Sequence, residues 1–99
     1  MTYKVVVTPG AEVDLDQVYR FVALEKPGAA RTFVAGLRRR LKTLAAMPRR
    51  CPRAPEDGLD GLEIRHLIHD QYRIIFAIDD RTVVILQVRH SARRLTGNP

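Results

Sequence analysis

Residues 62–88 read LEIRHLIHDQYRIIFAIDDRTVVILQV, three apolar runs divided by two short polar joints. Leu62 to Ile68 alternates, with Leu62, Ile64, His66 and Ile68 on one side and Glu63, Arg65 and Leu67 on the other. Tyr72 to Ile78 is a denser run, and Thr82 to Val88 is nearly all aliphatic. Runs of this kind, rich in β-branched and aromatic residues, are strands. The joints His69-Asp70-Gln71 and Asp79-Asp80-Arg81 are short enough to be hairpin turns, so three consecutive antiparallel strands are expected. The unbroken apolar character of Thr82 to Val88 predicts a central strand covered on both faces; the more polar Leu62 to Ile68 reads as nearer an edge.

Upstream, Pro48 to Gly61 holds three prolines and two glycines among charged residues and reads as a loop, the segment expected to be most mobile. Before it, Ala30, Phe33, Val34, Leu37, Leu41 and Leu44 recur at spacings of three and four, predicting a helix that opens at Pro27 and stops at Met47-Pro48. Gly36 falls inside it, at a cost of roughly 1 kcal/mol against alanine, and suggests a close helix contact. A first helix over Pro9 to Leu24 carries Ala11, Leu15, Val18, Tyr19 and Val22 on one stripe. Thr8 suits its N-cap and Pro9 its first turn, with Glu12, Asp14 and Asp16 at the positive end of the dipole. Tyr3 to Val7 reads as an opening strand. The order β-α-α-β-β-β predicts one α+β domain over residues 1–99, a helical hairpin packed on a mainly antiparallel sheet.

The composition, 45% hydrophobic and 28% charged, is that of a globular chain with a packed core. No apolar run reaches the roughly 20 residues that span a bilayer, and the apolar stretch at the N-terminus is too short for a signal peptide, so a cytoplasmic location is expected. The single cysteine, Cys51, forms no internal disulfide and fits a reducing compartment. Net charge is +6. It is concentrated where Leu37 to Arg53 carries Arg38, Arg39, Arg40, Lys42, Arg49, Arg50 and Arg53 without one acid, and again from Arg81 through Arg89, Arg93 and Arg94. Such fields attract nucleic acid, acidic proteins or anionic membranes, or simply solvate a helix face.

Chemistry-bearing constellations are sparse. His66 and His69 sit on different faces or levels of a strand and turn, with no Cys or Asp cluster to complete a ligand set, so no metal is expected. Ser91 beside His90 lacks the geometry of a hydrolase triad. Without a glycine-rich phosphate loop, no nucleotide cofactor is expected, and the ligand should be a macromolecule. His90, the side chain titrating nearest neutral pH, is the best single acid or base if the protein is an enzyme. Arg73, between Tyr72 and Ile74, projects opposite to both, toward either a concave sheet face or solvent, and its replacement by alanine is expected to leave folding intact. Only three Tyr and three Phe are available, most suited to the core, so stacking platforms for single strands are absent.

The ordered set of features resembles one superfamily over nearly the whole chain. They are an opening strand ending in Thr8-Pro9, the acidic helix start Ala11-Glu12-Val13-Asp14-Leu15, the phrase Met47-Pro48-Arg49-Arg50, the triplet Tyr72-Arg73-Ile74, and Val84-Ile85-Leu86-Gln87-Val88-Arg89-His90. Together they resemble the ParE/RelE toxins of type II toxin-antitoxin systems, and the long hairpin and arginine-rich ending look like the ParE branch. That resemblance implies inhibition of DNA gyrase and a hetero-oligomer with a ParD-like antitoxin whose C-terminal segment wraps the toxin. Target or antitoxin contacts would then fall on Arg38, Arg49, Arg50, Arg73, Arg93 and Arg94. The alternative, a branch resembling RelE and YoeB, implies a ribosome-dependent mRNA endoribonuclease. Arg73 would clamp the phosphate and Arg89 or His90 would supply C-terminal catalytic groups; no tyrosine follows His90 and no lysine pair precedes the second strand.

Overall fold

A computed structural model describes residues 2–91. Strand β1 (Lys4–Val7) leads into helix α1 (Pro9–Glu25). The Thr8 hydroxyl caps that helix by accepting from the Ala11 amide at 3.1 Å, while donating to the Ile85 carbonyl at 2.8 Å. One side chain thus closes the helix and ties it to the sheet. A short 3-10 turn, Pro27–Ala29, joins α1 to α2 (Ala30–Lys42), and a second turn, Thr43–Ala45, ends the hairpin. The helix expected from Pro27 to Met47 is therefore α-helical only in its middle.

Strands β2 (Glu63–His69), β3 (Tyr72–Asp79) and β4 (Thr82–His90) form two hairpins across Asp70-Gln71 and Asp80-Arg81. Asp70 and Asp80 adopt φ of 54° and 55°, a left-handed conformation that short polar side chains tolerate. The sheet order is β1-β4-β3-β2, with β1 parallel to β4 and the other pairs antiparallel. As expected, β4 is interior and β2 an edge.

Helix residues Ala11, Leu15, Val18, Leu37, Leu41 and Leu44 bury themselves against Leu67, Ile74, Phe76, Ile78, Val83, Ile85 and Val88, the helix-facing side of the sheet. Tyr19, placed on the same stripe by spacing, is instead exposed. Gly36 does not mark a close approach of the two helices: a Cβ there would meet the His69 ring at 3.7 Å, ordinary contact with β2.

The strand covered on both faces is β3, buried from Tyr72 to Ile78, whereas β4 buries Val83, Ile85 and Val88 and leaves Val84, Leu86 and Gln87 half-buried. The reason lies in the 48–61 segment. It folds back across the second sheet face, where Ala54 packs with Ile64, Ile75 and Ala77, after Cys51 has joined the core on the helix side. Backbone bonds from Ala54 to Ile64 and from His66 to Pro52 fasten it to β2.

Candidate functional site

The second sheet face carries Arg73 near the start of β3, one residue in from the β2–β3 hairpin. As the alternation of β3 requires, Arg73 points opposite to Tyr72 and Ile74, and it is buried beneath the 48–61 segment rather than solvated. Its Nη2 donates to Glu56 Oε2 at 2.8 Å, and its Nη1 lies 2.9 Å from His66 Nδ1. Since a guanidinium only donates, His66 must be neutral with its lone pair on Nδ1. Burial and the neighbouring Arg73 cation hold the imidazole below its usual pKa, against a smaller opposing effect of Glu56. Burial pushes the Glu56 carboxyl up, but the hydrogen bond from Arg73, a backbone bond and the Arg73 charge outweigh it, so the group sits low. The side chains of Arg73 and Glu56 are only 10% and 11% exposed, so Arg73→Ala would leave a buried carboxylate unpaired and should cost stability, against the expectation that it leaves folding intact.

Arg89 lies opposite Arg73 in the strand register and shares its face, with Nε donating to Gln87 Oε1 at 2.6 Å. His90 is on the other face. It stacks edge-on against Tyr72, ring centroids 5.2 Å apart, with Nε2 at 3.2 Å from Gln71 Oε1. The three residues that a ribonuclease reading groups together therefore divide, two on one side of the sheet and one on the other. His66 and His69 divide likewise, His69 lying beside Phe33 of α2. Among the described residues, no group of three or more His, Cys, Asp or Glu is placed to hold a metal. Nor is any helix there long and apolar enough to cross a membrane.

The one-sided arginine run acquires partners in three dimensions. Arg38 forms a fork on Glu12 of α1 at 2.7 and 3.2 Å, which lowers the Glu12 pKa. Arg49 makes a fork on Glu63 at 2.8 and 3.0 Å and also donates to the Tyr3 hydroxyl; Arg65 shares the same carboxylate. Arg50 donates to the Ala46 and Met47 carbonyls and the Thr43 hydroxyl. Arg53 pairs with Asp57. What remains as open positive charge is narrower than the sequence implies and includes Arg39 and Lys42, which form no ion pair among the described residues. These pairs escaped sequence reading because their acids lie elsewhere in the chain, Glu12 being 26 positions from Arg38. Arg93 and Arg94 lie outside the described residues.

A groove of about 440 Å³ runs between the two helices, lined by Val13, Leu15, Tyr19 and Val34, with Glu12, Asp16 and Arg38 at its rim. Nearby on α1, Phe21 and Leu24 are exposed, Leu24 at 83%. A helix hairpin that displays large apolar side chains on its outer surface is suited to receive another protein.

Residues 5–95 match the family described as the ParE toxin of type II toxin-antitoxin system, parDE. Three solved structures share the fold. A chain of the chromosomal ParDE toxin-antitoxin system from P. aeruginosa superposes with a TM-score of 0.72 at 18% identity, over 90% of this chain and 96% of its own. A chain of the RelBE2 toxin-antitoxin complex from Mycobacterium tuberculosis gives 0.64 at 26% identity, over 91% and 99%. One of the archaeal RelE-RelB complex from Pyrococcus horikoshii OT3 gives 0.58 at 19%, over 95% and 100%. No curated protein matches in sequence. With a family match over almost its whole length and a fold shared with toxin-antitoxin chains, this protein belongs to the ParE toxins of the ParE/RelE superfamily, type II toxin-antitoxin systems.

Proposed function

We propose that the chain acts in the cytoplasm by binding and inhibiting DNA gyrase, with no bond chemistry of its own, and is silenced by a ParD-like antitoxin. The observation that carries this reading is the division of the sheet. Cleavage of RNA needs a base, a cation for the phosphorane and an acid converging on one phosphate. Here Arg73 is engaged by Glu56 and His66 beneath the 48–61 segment, and His90 lies on the opposite face. A contact mechanism asks for no such convergence.

The antitoxin would lay an apolar helix face in the groove between α1 and α2 and fold as it binds. Acidic side chains on it would meet Arg39 and Lys42, and association should slow as salt rises.

A second reading, a ribosome-dependent endoribonuclease, is favoured by one feature, the pairing of Arg73 with Arg89 on one face. Supercoiling by purified gyrase with added toxin separates the two. Lost activity with accumulated cleaved DNA, reversed by the antitoxin, supports gyrase inhibition. No effect at high toxin excess, with mRNA cut on ribosomes, overturns it.

A further inference from the structure

The cations of this chain fall into two sets. Arg20, Arg38, Arg49, Arg53, Arg65 and Arg73 are held in ion pairs. Arg31, Arg39 and Lys42 of α2, and Arg50 just beyond it, are exposed and form no ion pair among the described residues. From Lys26 to Pro55 the sequence holds no Asp or Glu that could neutralise them locally. Arg31, Arg39 and Lys42 share the outer face of α2, opposite the buried Ala30, Leu37 and Leu41. Arg50 extends the row past the helix end. Its Nη1 donates to the Ala46 carbonyl at 2.8 Å and the Met47 carbonyl at 3.3 Å, and its Nη2 to the Thr43 hydroxyl at 3.1 Å. All these acceptors are neutral, so the guanidinium is fixed in place with its charge uncancelled. The partial negative charge at a helix C-terminus, about half a unit, cannot offset the row.

Three features of this face specify its partner. It carries no large apolar anchor: among the described residues, no exposed large apolar side chain falls between Leu24 and Met47, whereas protein interfaces depend on such anchors. It offers no aromatic ring on which an unpaired base could stack, since Phe33 of α2 packs against the core. Its length suits a duplex. Arg31 and Lys42 stand about three turns, roughly 17 Å, apart along the axis, enough to reach across a groove of about 6 or 12 Å to phosphates of both strands. Only the small side chains of Thr32 and Ala35 lie between the cations on that face, which lets a nucleic-acid backbone approach. A duplex presents one phosphate charge about every 1.7 Å, so the row meets charge at any register.

We propose that Arg31, Arg39, Lys42 and Arg50 form a binding surface for the phosphate backbone of duplex DNA, engaged without regard to sequence. The choice of DNA over RNA rests on the gyrase reading, in which the chain works beside the DNA that gyrase holds; the contact with phosphate does not. An antitoxin seated in the groove between α1 and α2 would compete for Arg39 and Lys42 and so displace the DNA.

The test is fluorescence anisotropy of a labelled DNA duplex of about 20 base pairs, titrated with the full chain at about 50 to 200 mM salt. Contacts from these cations predict that log affinity falls with log salt at a slope of about −3 to −4. Arg39→Gln with Lys42→Gln should flatten that slope by about 2 and weaken binding at least about ten-fold at the lowest salt. Lys4→Gln with Arg81→Gln removes the same charge from exposed positions elsewhere and should change affinity by less than about three-fold, because salt screens distant charges. No gyrase is present, so failure here is distinct from failure of the supercoiling assay. The proposal is overturned if duplex DNA does not bind at about 50 mM salt, if the Arg39 and Lys42 variant keeps native affinity, or if the Lys4 and Arg81 variant loses as much. Tighter binding of a duplex RNA of the same length, or of poly-L-glutamate, likewise overturns it.

Discussion

Truncating Glu56 should destabilise the protein far more than its place in a proline-rich loop suggests. Its carboxylate and the Arg73 guanidinium meet at 2.8 Å with side chains 11% and 10% exposed. Removing one partner of a buried ion pair costs about 3 to 5 kcal/mol, because the other charge stays buried. Two features bring the figure for Glu56→Ala to about 2 to 3 kcal/mol. The pair keeps some contact with water, and the substitution also removes the buried, unbonded Oε1, itself worth about 1 kcal/mol or more of unpaid desolvation. A domain of this size is stable by only about 5 to 15 kcal/mol. The loss should therefore lower the melting temperature by about 10 to 20 °C.

Urea unfolding of five proteins makes the reasoning testable: native, Glu56→Ala, Glu56→Leu, Arg73→Met, and the double variant Glu56→Leu with Arg73→Met, the last three closing a cycle with native. Each single change strands a charge or an acceptor, while the double change replaces the pair by apolar groups of similar volume and should return to within about 1 kcal/mol of native. The coupling energy read from the cycle should thus be large and of rescuing sign. A Glu56→Ala variant within about 0.5 kcal/mol of native, or a double variant as unstable as the sum of two costly singles, would refute the argument.

Stability should also fall in two stages with acid. The neutral His66 that accepts from Arg73 has a folded pKa below its ordinary 6.5, so the unfolded chain takes the proton first and stability declines as pH drops below about 6.5, a stage that His66→Gln should abolish in urea titrations. A second decline begins below about 4.5, as pH falls toward the lowered folded pKa values of Glu12, Glu56 and Glu63. The Cys51 thiol is buried and its pKa raised chiefly by burial; it should react with a disulfide reagent at pH 8 far more slowly than free cysteine and at full speed in denaturant, and rapid native modification would contradict its packing. Gly36→Ala should raise the unfolding free energy by about 1 kcal/mol, since the helix gains and the new methyl meets only ordinary contacts.

The fold was largely legible because its elements are written locally. Thr8 and Pro9 announce α1, Leu37, Leu41 and Leu44 give α2 one face, and two aspartates sit where the hairpins must turn left-handed. What escaped was set by distant residues. Nothing near Arg38 or Arg49 indicates that Glu12 and Glu63 will meet them, so the basic run looked more open than it is. Nothing in Pro48 to Gly61 announces that Ala54 and Glu56 will close over β3, and that closure makes β3 rather than β4 the doubly covered strand. A proline-rich stretch is read as mobile from its missing periodicity, yet backbone bonds to Ile64 and His66 and the buried Glu56 hold it down.

The placement of the candidate site turns on one irregularity in β4. Ile75 pairs with Gln87 and Phe76 with Ile85, so Leu86 is an extra residue, a bulge. Val83 and Ile85 face the helices, and simple alternation from them would send Gln87 and Arg89 to that same side and His90 to the face of Arg73. The bulge reverses this. Leu86 and Gln87 both fall on the side that the 48–61 segment covers, Val88 returns to the helices, Arg89 comes to lie beside Arg73, and His90 is turned toward Tyr72. One inserted residue thus separates an arginine pair from the histidine best suited to proton transfer. It leaves Arg73 and Arg89 together on the face that the 48–61 segment covers and His90 beside Tyr72 on the other, the separation on which the proposed contact mechanism rests.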